Sequence, residues 1–282
     1  MASSTTTFAS AFLPSDYGQL LIATASRMSV AMQATTVVNT DGNDFRIPIV
    51  TAEPAAGWYG ENAEISLTDP TTAEEVVTPK KVAALHKMSN ELAADSSPQA
   101  AQVVGNALAR SIANSIDTAF FGNAPGTGDI PKGLGAILDA DVTVVDAGAA
   151  WTNVDPFIEA AYKIEAVGGN LTTFIANPAD AEILAKLKRD ATSNEPLLAA
   201  DATSPTSRLL SGVRLLTSNF APVGTVYGLD SSRTFTVVRN GVSVELDRSV
   251  FFSSYSVAAR AVARVAFGFP HAKTIARVEL TV

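Results

Sequence analysis

Two histidines, His86 and His271, are the first residues to weigh for chemistry, since imidazole trades protons near neutral pH. They stand apart. His86 lies in a strand-like run between Leu85 and Lys87, and His271 follows Pro270. Two isolated imidazoles make neither a metal set nor a nucleophile–base pair, so surface or core packing is the expected role of each. Glu61 and Glu64 stand close enough in sequence to suggest paired carboxylates. General acid work needs a partly buried carboxyl with a shifted pKa, and this pair falls in a flexible polar loop, so a solvated acidic face is expected. The run Gly122–Gly128, GNAPGTG, has the glycines of a phosphate loop. It lacks the Gly-Lys-Ser/Thr ending and follows a helix instead of a strand, so no phosphate cradle is expected. There is no G-x-S-x-G elbow. The absence of cysteine excludes disulfides, thiolate metal sites and cysteine nucleophiles. No catalytic residue, cofactor site or metal site is expected.

Composition points the same way. The chain has 282 residues, 47% of them hydrophobic and only 17% charged, with a net charge of −8. Low charge on a chain of this size fits a protein that covers much of its surface with partners. Binding to nucleic-acid phosphates needs Lys and Arg clusters, and the densest basic stretch is Lys186, Lys188 and Arg189 on a helix face. No stretch of about 18 apolar residues is free of charge, so no membrane span is expected. Met1–Ser15 lacks the basic residues that open a signal peptide, which implies a cytosolic chain.

The elements follow from pattern. Residues 1–45 carry little charge and are rich in Ser, Thr and Ala, which predicts a mobile arm with a short helix at Asp16–Val30. Arg46–Val50 reads as a strand, and Val76–Met88 as another carrying Lys80, Lys81 and Lys87. Between them, Thr51–Glu75 holds six acids and no base, too long a stretch for an ordinary hairpin loop. Ser97-Pro98 opens a helix that should run to Phe121, about 36 Å at 1.5 Å per residue. Val104, Leu108, Ile112, Ile116 and Phe120 form its apolar stripe, and Ala101, Gly105, Ala109 and Ala113 a small-residue stripe beside it.

Residues 122–152 read as loop, then Asp155-Pro156 opens a helix ended by Gly168-Gly169. A buried strand at Leu171–Ala176, a helix at Pro178–Arg189 and an exposed loop at Asp190–Ser207 follow. Thr234–Val238 and Val242–Leu246 around Asn240-Gly241 read as a hairpin. Ala259–Phe269 alternates, with Ala259, Ala261, Ala263, Val265, Phe267 and Phe269 on one face. Ile275–Val282 is a closing strand.

One arrangement is specific by its order. An Ile-Pro strand leads to Gly57-Trp58-Tyr59-Gly60-Glu61-Asn62 and an acidic stretch. Thr78-Pro79-Lys80-Lys81-Val82-Ala83-Ala84-Leu85 then returns, followed by Met88-Ser89-Asn90-Glu91-Leu92 and the long helix. Together with Arg239–Glu245 and Arg260–Arg264, this resembles the tailed-bacteriophage major capsid family over residues 45–282. The resemblance implies an α+β, Hong Kong 97-like capsid fold. Its expected parts are an N-terminal arm (1–45), an extended β loop arm with flanking strands (46–96) and a peripheral domain with a long spine helix (97–167). An axial domain (168–230) and a C-terminal β segment (231–282) complete it.

The function implied is a structural subunit, not an enzyme, of an icosahedral head shell around double-stranded DNA. The implied partners are many copies of itself as pentamers and hexamers, a separate scaffolding protein, a portal protein and a decoration protein. Packaged DNA would be enclosed without specific binding, and no membrane is involved. The shell would be assembled in the host cytoplasm and end in the virion. An encapsulin-type nanocompartment is the alternative of the same fold, and an unrelated enzyme or adhesin the alternative outside it.

Trp58, Glu61 and Glu64 on the arm, with Glu245, Asp247 and Arg248, are the expected inter-subunit contacts, Arg248 pairing a neighbour's Glu245 or Asp247. Some members of the family crosslink themselves through a loop Lys, an Asn and a Glu. Here no Lys lies between Thr51 and Pro79, and Ser249–Ala263 holds neither Asn nor Glu, so that chemistry is not carried over. The chain also begins almost at its arm, which implies a separate or removed scaffolding segment.

Overall fold

The computed structural model describes residues 29–52, 56–62, 64, 67, 69–89, 98–188, 208–247 and 249–281. The expected helix at Asp16–Val30 lies almost wholly outside them, as does the loop Asp190–Ser207. The chain enters through a short helix α1 (Val30–Ala34) and strand β1 (Thr36–Thr40). Ala31 and Ala34 are fully buried, so this part of the N-terminal region belongs to the body.

The first layer is a four-stranded sheet, β1-β10-β11-β4, formed with β10 (Phe235–Asp247), β11 (Ser256–Gly268) and β4 (Lys80–Ser89). Helix α2 (Pro98–Phe121) packs on it. Leu108, Ile112, Ile116 and Phe120 are buried, as the stripe predicts, and Ala259, Ala261, Ala263, Val265 and Phe267 of β11 are buried with them. Three alanines in alternate positions leave room for a helix to come close, and Phe120 meets Phe267 edge-on at 4.9 Å.

The second layer is a six-stranded sheet in the order β5-β12-β9-β6-β8-β7. Its strands are β5 (Thr143–Asp146), β6 (Thr173–Ala176), β7 (Leu209–Leu210), β8 (Val213–Thr217), β9 (Thr225–Leu229) and β12 (Ala276–Glu279). Helices α3 (Asp155–Ala166) and α4 (Pro178–Lys186) share its core through Phe157, Ala160, Ile164, Ala181 and Leu184. Asp180, in the first turn of α4, is buried and accepts the Trp151 indole N–H and the Gly224 N–H, both at 2.9 Å. Ile175, Tyr227, Leu229 and Ile275 from this layer join the helix α2 core, which ties the two layers together.

Four sequence readings change. Asn240-Gly241 does not turn a hairpin: β10 runs through it as one strand. Both edges of Phe235–Arg239 are already taken, by β1 in parallel and by β11 antiparallel, so Val242–Leu246 has nowhere to fold back. From Arg239 to Ser243 β10 takes four steps while β11 takes two, Arg264 to Val262, and the surplus is absorbed as a bulge. The expected strand Val76–Met88 is two, because Pro79 has no N–H and the chain changes sheet there: β3 (Thr71–Val77) pairs with β2 (Phe45–Ala52), and β4 with β11. Strand β5 lies inside the expected loop 122–152, pairing in parallel with β12. Strand β1 lies in the expected mobile arm.

Candidate inter-subunit surfaces

The β2–β3 hairpin is a two-stranded sheet of its own. Its base is held by apolar packing: Ile47 and Val77 are buried with Val237 and Ala266, and Phe45 and Phe235 lie against them. Gly268 makes the fit possible, since a Cβ there would stand 2.7 Å from Ile47 Cδ1 and 3.0 Å from Val77 Cγ2. Further out the hairpin is held by polar contacts. Arg46 makes a two-pronged bond to Glu74 at 2.9 and 3.1 Å, and the Thr51 hydroxyl donates to the Thr71 carbonyl at 2.9 Å. Glu75 is the exception among the arm's acids. It is half-buried, the Phe269 backbone N–H lies against its carboxyl, and desolvation holds it above the ordinary carboxylate range.

Trp58, Glu61 and Glu64 all lie in the outer part of this arm and all are exposed. Asn62 takes a left-handed φ of 63°, which turns the chain beyond Glu61. Trp58 has no shelter, with a relative exposure of 106%, and Leu67 is 92% exposed. Val50 and Val76 add apolar surface along the strands. A solvated arm carrying a bare indole and a bare leucine is costly for an isolated chain and fits one that is covered by a partner.

Glu245 and Asp247 are two residues apart on β10, both exposed. Glu245 stands opposite Arg260 in the β10–β11 ladder and forms an ion pair with it. Asp247 accepts the Ser249 hydroxyl at 2.6 Å and the Ser249 N–H at 2.7 Å, and these bonds hold its carboxyl below the usual range. Arg248 lies outside the described residues. The two acids therefore find partners within their own chain, and Arg260 is the residue sequence reasoning missed. The cross-strand register that pairs it with Glu245 becomes visible only once the hairpin is discarded.

The histidines do not converge. His86 is exposed on β4 opposite Ala259, while His271 follows β11 and is half-buried. Among the described residues no three His, Asp or Glu side chains are grouped to hold a metal, and no helix is long and apolar enough to cross a membrane.

The sequence matches the phage capsid family over residues 9–280. No curated protein matches it. Among solved structures, the fold is similar to the capsid of a native GTA particle, at 21% identity and TM-score 0.69, covering 92% of this chain and 91% of that one. A chain of Mycobacterium phage Adephagia aligns at 19% identity and TM-score 0.72, over 90% of each chain. A chain of Mycobacterium phage Cain aligns at 20% identity and TM-score 0.71, over 100% of this chain and 95% of that one.

Proposed function

The chain belongs to the phage capsid family, and from that premise we propose how its surfaces divide the work of building a shell. The fold is the Hong Kong 97-like capsid fold, and the protein is a structural subunit of an icosahedral head shell, present there in many copies. The family match favours the phage head over the encapsulin-type compartment. The observation that carries the finer reading is the β2–β3 arm, whose Trp58 and Leu67 stand exposed with no cover among the described residues.

In this reading helix α2 and the four-stranded sheet form the peripheral domain. The axial domain, expected at 168–230 and widened in this reading by β5, α3 and β12, is the six-stranded sheet with α3 and α4, and it gathers copies around five-fold and six-fold axes. The arm, through Trp58, Glu61 and Glu64, reaches a neighbouring subunit, and the Glu245–Asp247–Arg248 end of β10 meets other copies at the junctions. A scaffolding protein and a portal act during assembly in the host cytoplasm, and a decoration protein adds to the finished shell. The DNA is enclosed by a surface that does not bind it specifically, as a net charge of −8 favours. Heterologous contacts of this sort close into rings and shells when the rotation between copies closes.

Negative-stain microscopy of the purified chain, alone and with a scaffolding protein, tests the reading. Closed shells are expected, and their loss on replacing Trp58 and Leu67 with Ser. Shells of normal yield from that double variant would remove the arm from the contact.

A further inference from the structure

Beside the base of the arm lies an open groove of about 400 Å³ with an unusual lining for so acidic a chain. Lys132, Arg233, His271 and Lys273 line it, and Asp141 is its one acid among the described residues. Pro270 and the exposed Val167 give it apolar walls, with the buried Phe269 behind them. The charges are not equally free. Arg233 lies 3.8 Å from Asp230 and donates to the Gly168 carbonyl at 2.6 Å, and Lys132 faces Glu75. Lys273 is exposed and has no ion pair among the described residues.

The arm is the complement. Of its six acids, Glu74 is bound by Arg46 and Glu75 is tucked at the base. The outer acids Glu61, Glu64 and Asp69 are exposed and have no ion pair among the described residues. Beside them stand the uncovered Trp58 and Leu67.

The arm does not serve its own groove: Glu61, Glu64 and Asp69 make no ion pair with its bases among the described residues. Glu75 against Phe269 fixes the groove at the arm's root, and the β2–β3 ladder runs outward from there to Ala52 and Thr71. Four residues of strand at about 3.3 Å each already put Thr71 about 13 Å away, with the outer acids beyond it. Each subunit thus carries an acidic, apolar-tipped arm and, at its root, a basic groove with apolar walls. We propose that this groove receives the outer arm of a second copy, carboxylates of Glu61, Glu64 and Asp69 meeting Lys273, Arg233 and Lys132, and Trp58 lying against Pro270 and Val167. The contact is head-to-tail, so one copy's arm occupies the next copy's groove. It rests on the shell reading above and adds the receptor and its chemistry.

Because the chain has no cysteine, an engineered pair reports cleanly. Glu64→Cys with Lys273→Cys, assembled under reducing conditions, imaged, then mildly oxidised, should run as a ladder of disulfide-linked multimers on a non-reducing denaturing gel. Glu64→Cys with Glu182→Cys, on the exposed side of α4, should stay monomeric. Shells that form but stay unlinked, or a link closed within single chains, would overturn the groove while leaving the shell reading intact. Failure of the unaltered chain to form any shell would take both down. A charge-reversed groove, Lys132→Glu with Lys273→Glu, should abolish assembly, and Glu61→Lys with Glu64→Lys in the same chain should restore it. Normal shells from the reversed groove that merely retain less DNA would show the groove facing the packaged nucleic acid, and the proposal would be wrong.

Discussion

The Ser29 hydroxyl donates to Asp117 Oδ1 at 2.7 Å, joining the start of the described chain to the spine helix across 88 residues. The same carboxylate accepts the Val30 and Ala31 N–H groups, each at 3.0 Å, so it closes the first turn of α1 from outside. Ser29 and Asp117 are both buried, and the Ser29 oxygen accepts the Met32 N–H in turn. One side chain on α2 thereby anchors the start of α1.

Replacing Asp117 with Ala should strand those donors in the core, at about 1–3 kcal/mol for a buried unsatisfied group. Chemical denaturation with Ser29→Ala as a second variant measures it, and the two losses should not add, since they remove one network. The pH dependence has a definite sign. Desolvation raises the Asp117 carboxyl above its ordinary value, with the hydrogen bonds from Ser29, Ala31 and Val30 offsetting part of the rise. The folded chain then holds this proton more tightly than the unfolded chain. Its contribution to stability is full below the unfolded value of about 3.9 and is lost as pH rises through the folded value. Asp117→Asn should flatten that part of the stability–pH curve, and an unchanged curve would remove Asp117 as its source.

The Glu245–Arg260 pair changes what charge variants at this end of β10 should do. Both side chains are more than half exposed, so the ion pair itself adds little to the fold. Arg260→Ala should leave the subunit's melting temperature nearly unchanged. With Glu245 already paired within its own chain, Asp247 is the acid left for a neighbour's Arg248, and Arg248→Glu should impair shell assembly while leaving the subunit's melting unchanged. Shells of normal yield from Arg248→Glu would remove the contact between neighbouring loops.

How far the sequence could be read depended on period and length. The eleven-residue alternation at Ala259–Phe269 and the four-residue recurrence from Leu108 to Phe120 are long enough to name a strand and a helix, and their buried faces are the expected ones. Strand β5 has four residues and takes its place from β12, more than 120 residues away, so no local pattern announces it. The Asn240-Gly241 reading failed for a tertiary reason, two occupied edges, against a strong local turn preference. At the surfaces, an acidic run with an aromatic tip was visible as an arm. The groove was not, because Lys132, Arg233 and Lys273 are separated by about 40 to 140 positions.

Hydrogen exchange should separate the two parts of the arm. The amides of the β2–β3 ladder are paired and its root is packed on Val237 and Ala266, so they should be protected in the free subunit and in the shell. The outer stretch around Glu61, Glu64 and Asp69 should exchange fast when free and slow down on assembly. Equal rates in both states would mean that nothing covers it.

Shells should dissolve fully in hot detergent. No Lys lies between Thr51 and Pro79, and Ser249–Ala263 has no Asn or Glu, so the side chains for an isopeptide crosslink are missing at those places. A ladder of multimers on a denaturing gel of the unaltered, cysteine-free chain would contradict this.

The glycines on which tight packing depends differ from the sequence expectation. Small side chains let another backbone come close, so the stripe of α2 predicts a tight contact at Gly105 that Gly105→Leu would overpack. Ala109 and Ala113 are indeed buried, but a Cβ at Gly105 would meet nothing within 4 Å among the described residues. Gly105→Leu should therefore leave the subunit's melting unchanged, and a shell defect in that variant would place a second copy there. The crowded position is Gly268, beneath Ile47 Cδ1 at 2.7 Å and Val77 Cγ2 at 3.0 Å. Gly268→Ala should force the root of the arm outward at about 1–3 kcal/mol, the usual cost of overpacking. Ile47→Val removes the very methyl that the new Cβ would strike. The pair Gly268→Ala with Ile47→Val should thus be more stable than the sum of the two single losses, by an interaction that a double-mutant cycle reads directly. Strict additivity would mean that Ile47 moves aside freely, and that the arm's root does not depend on a bare backbone at Gly268.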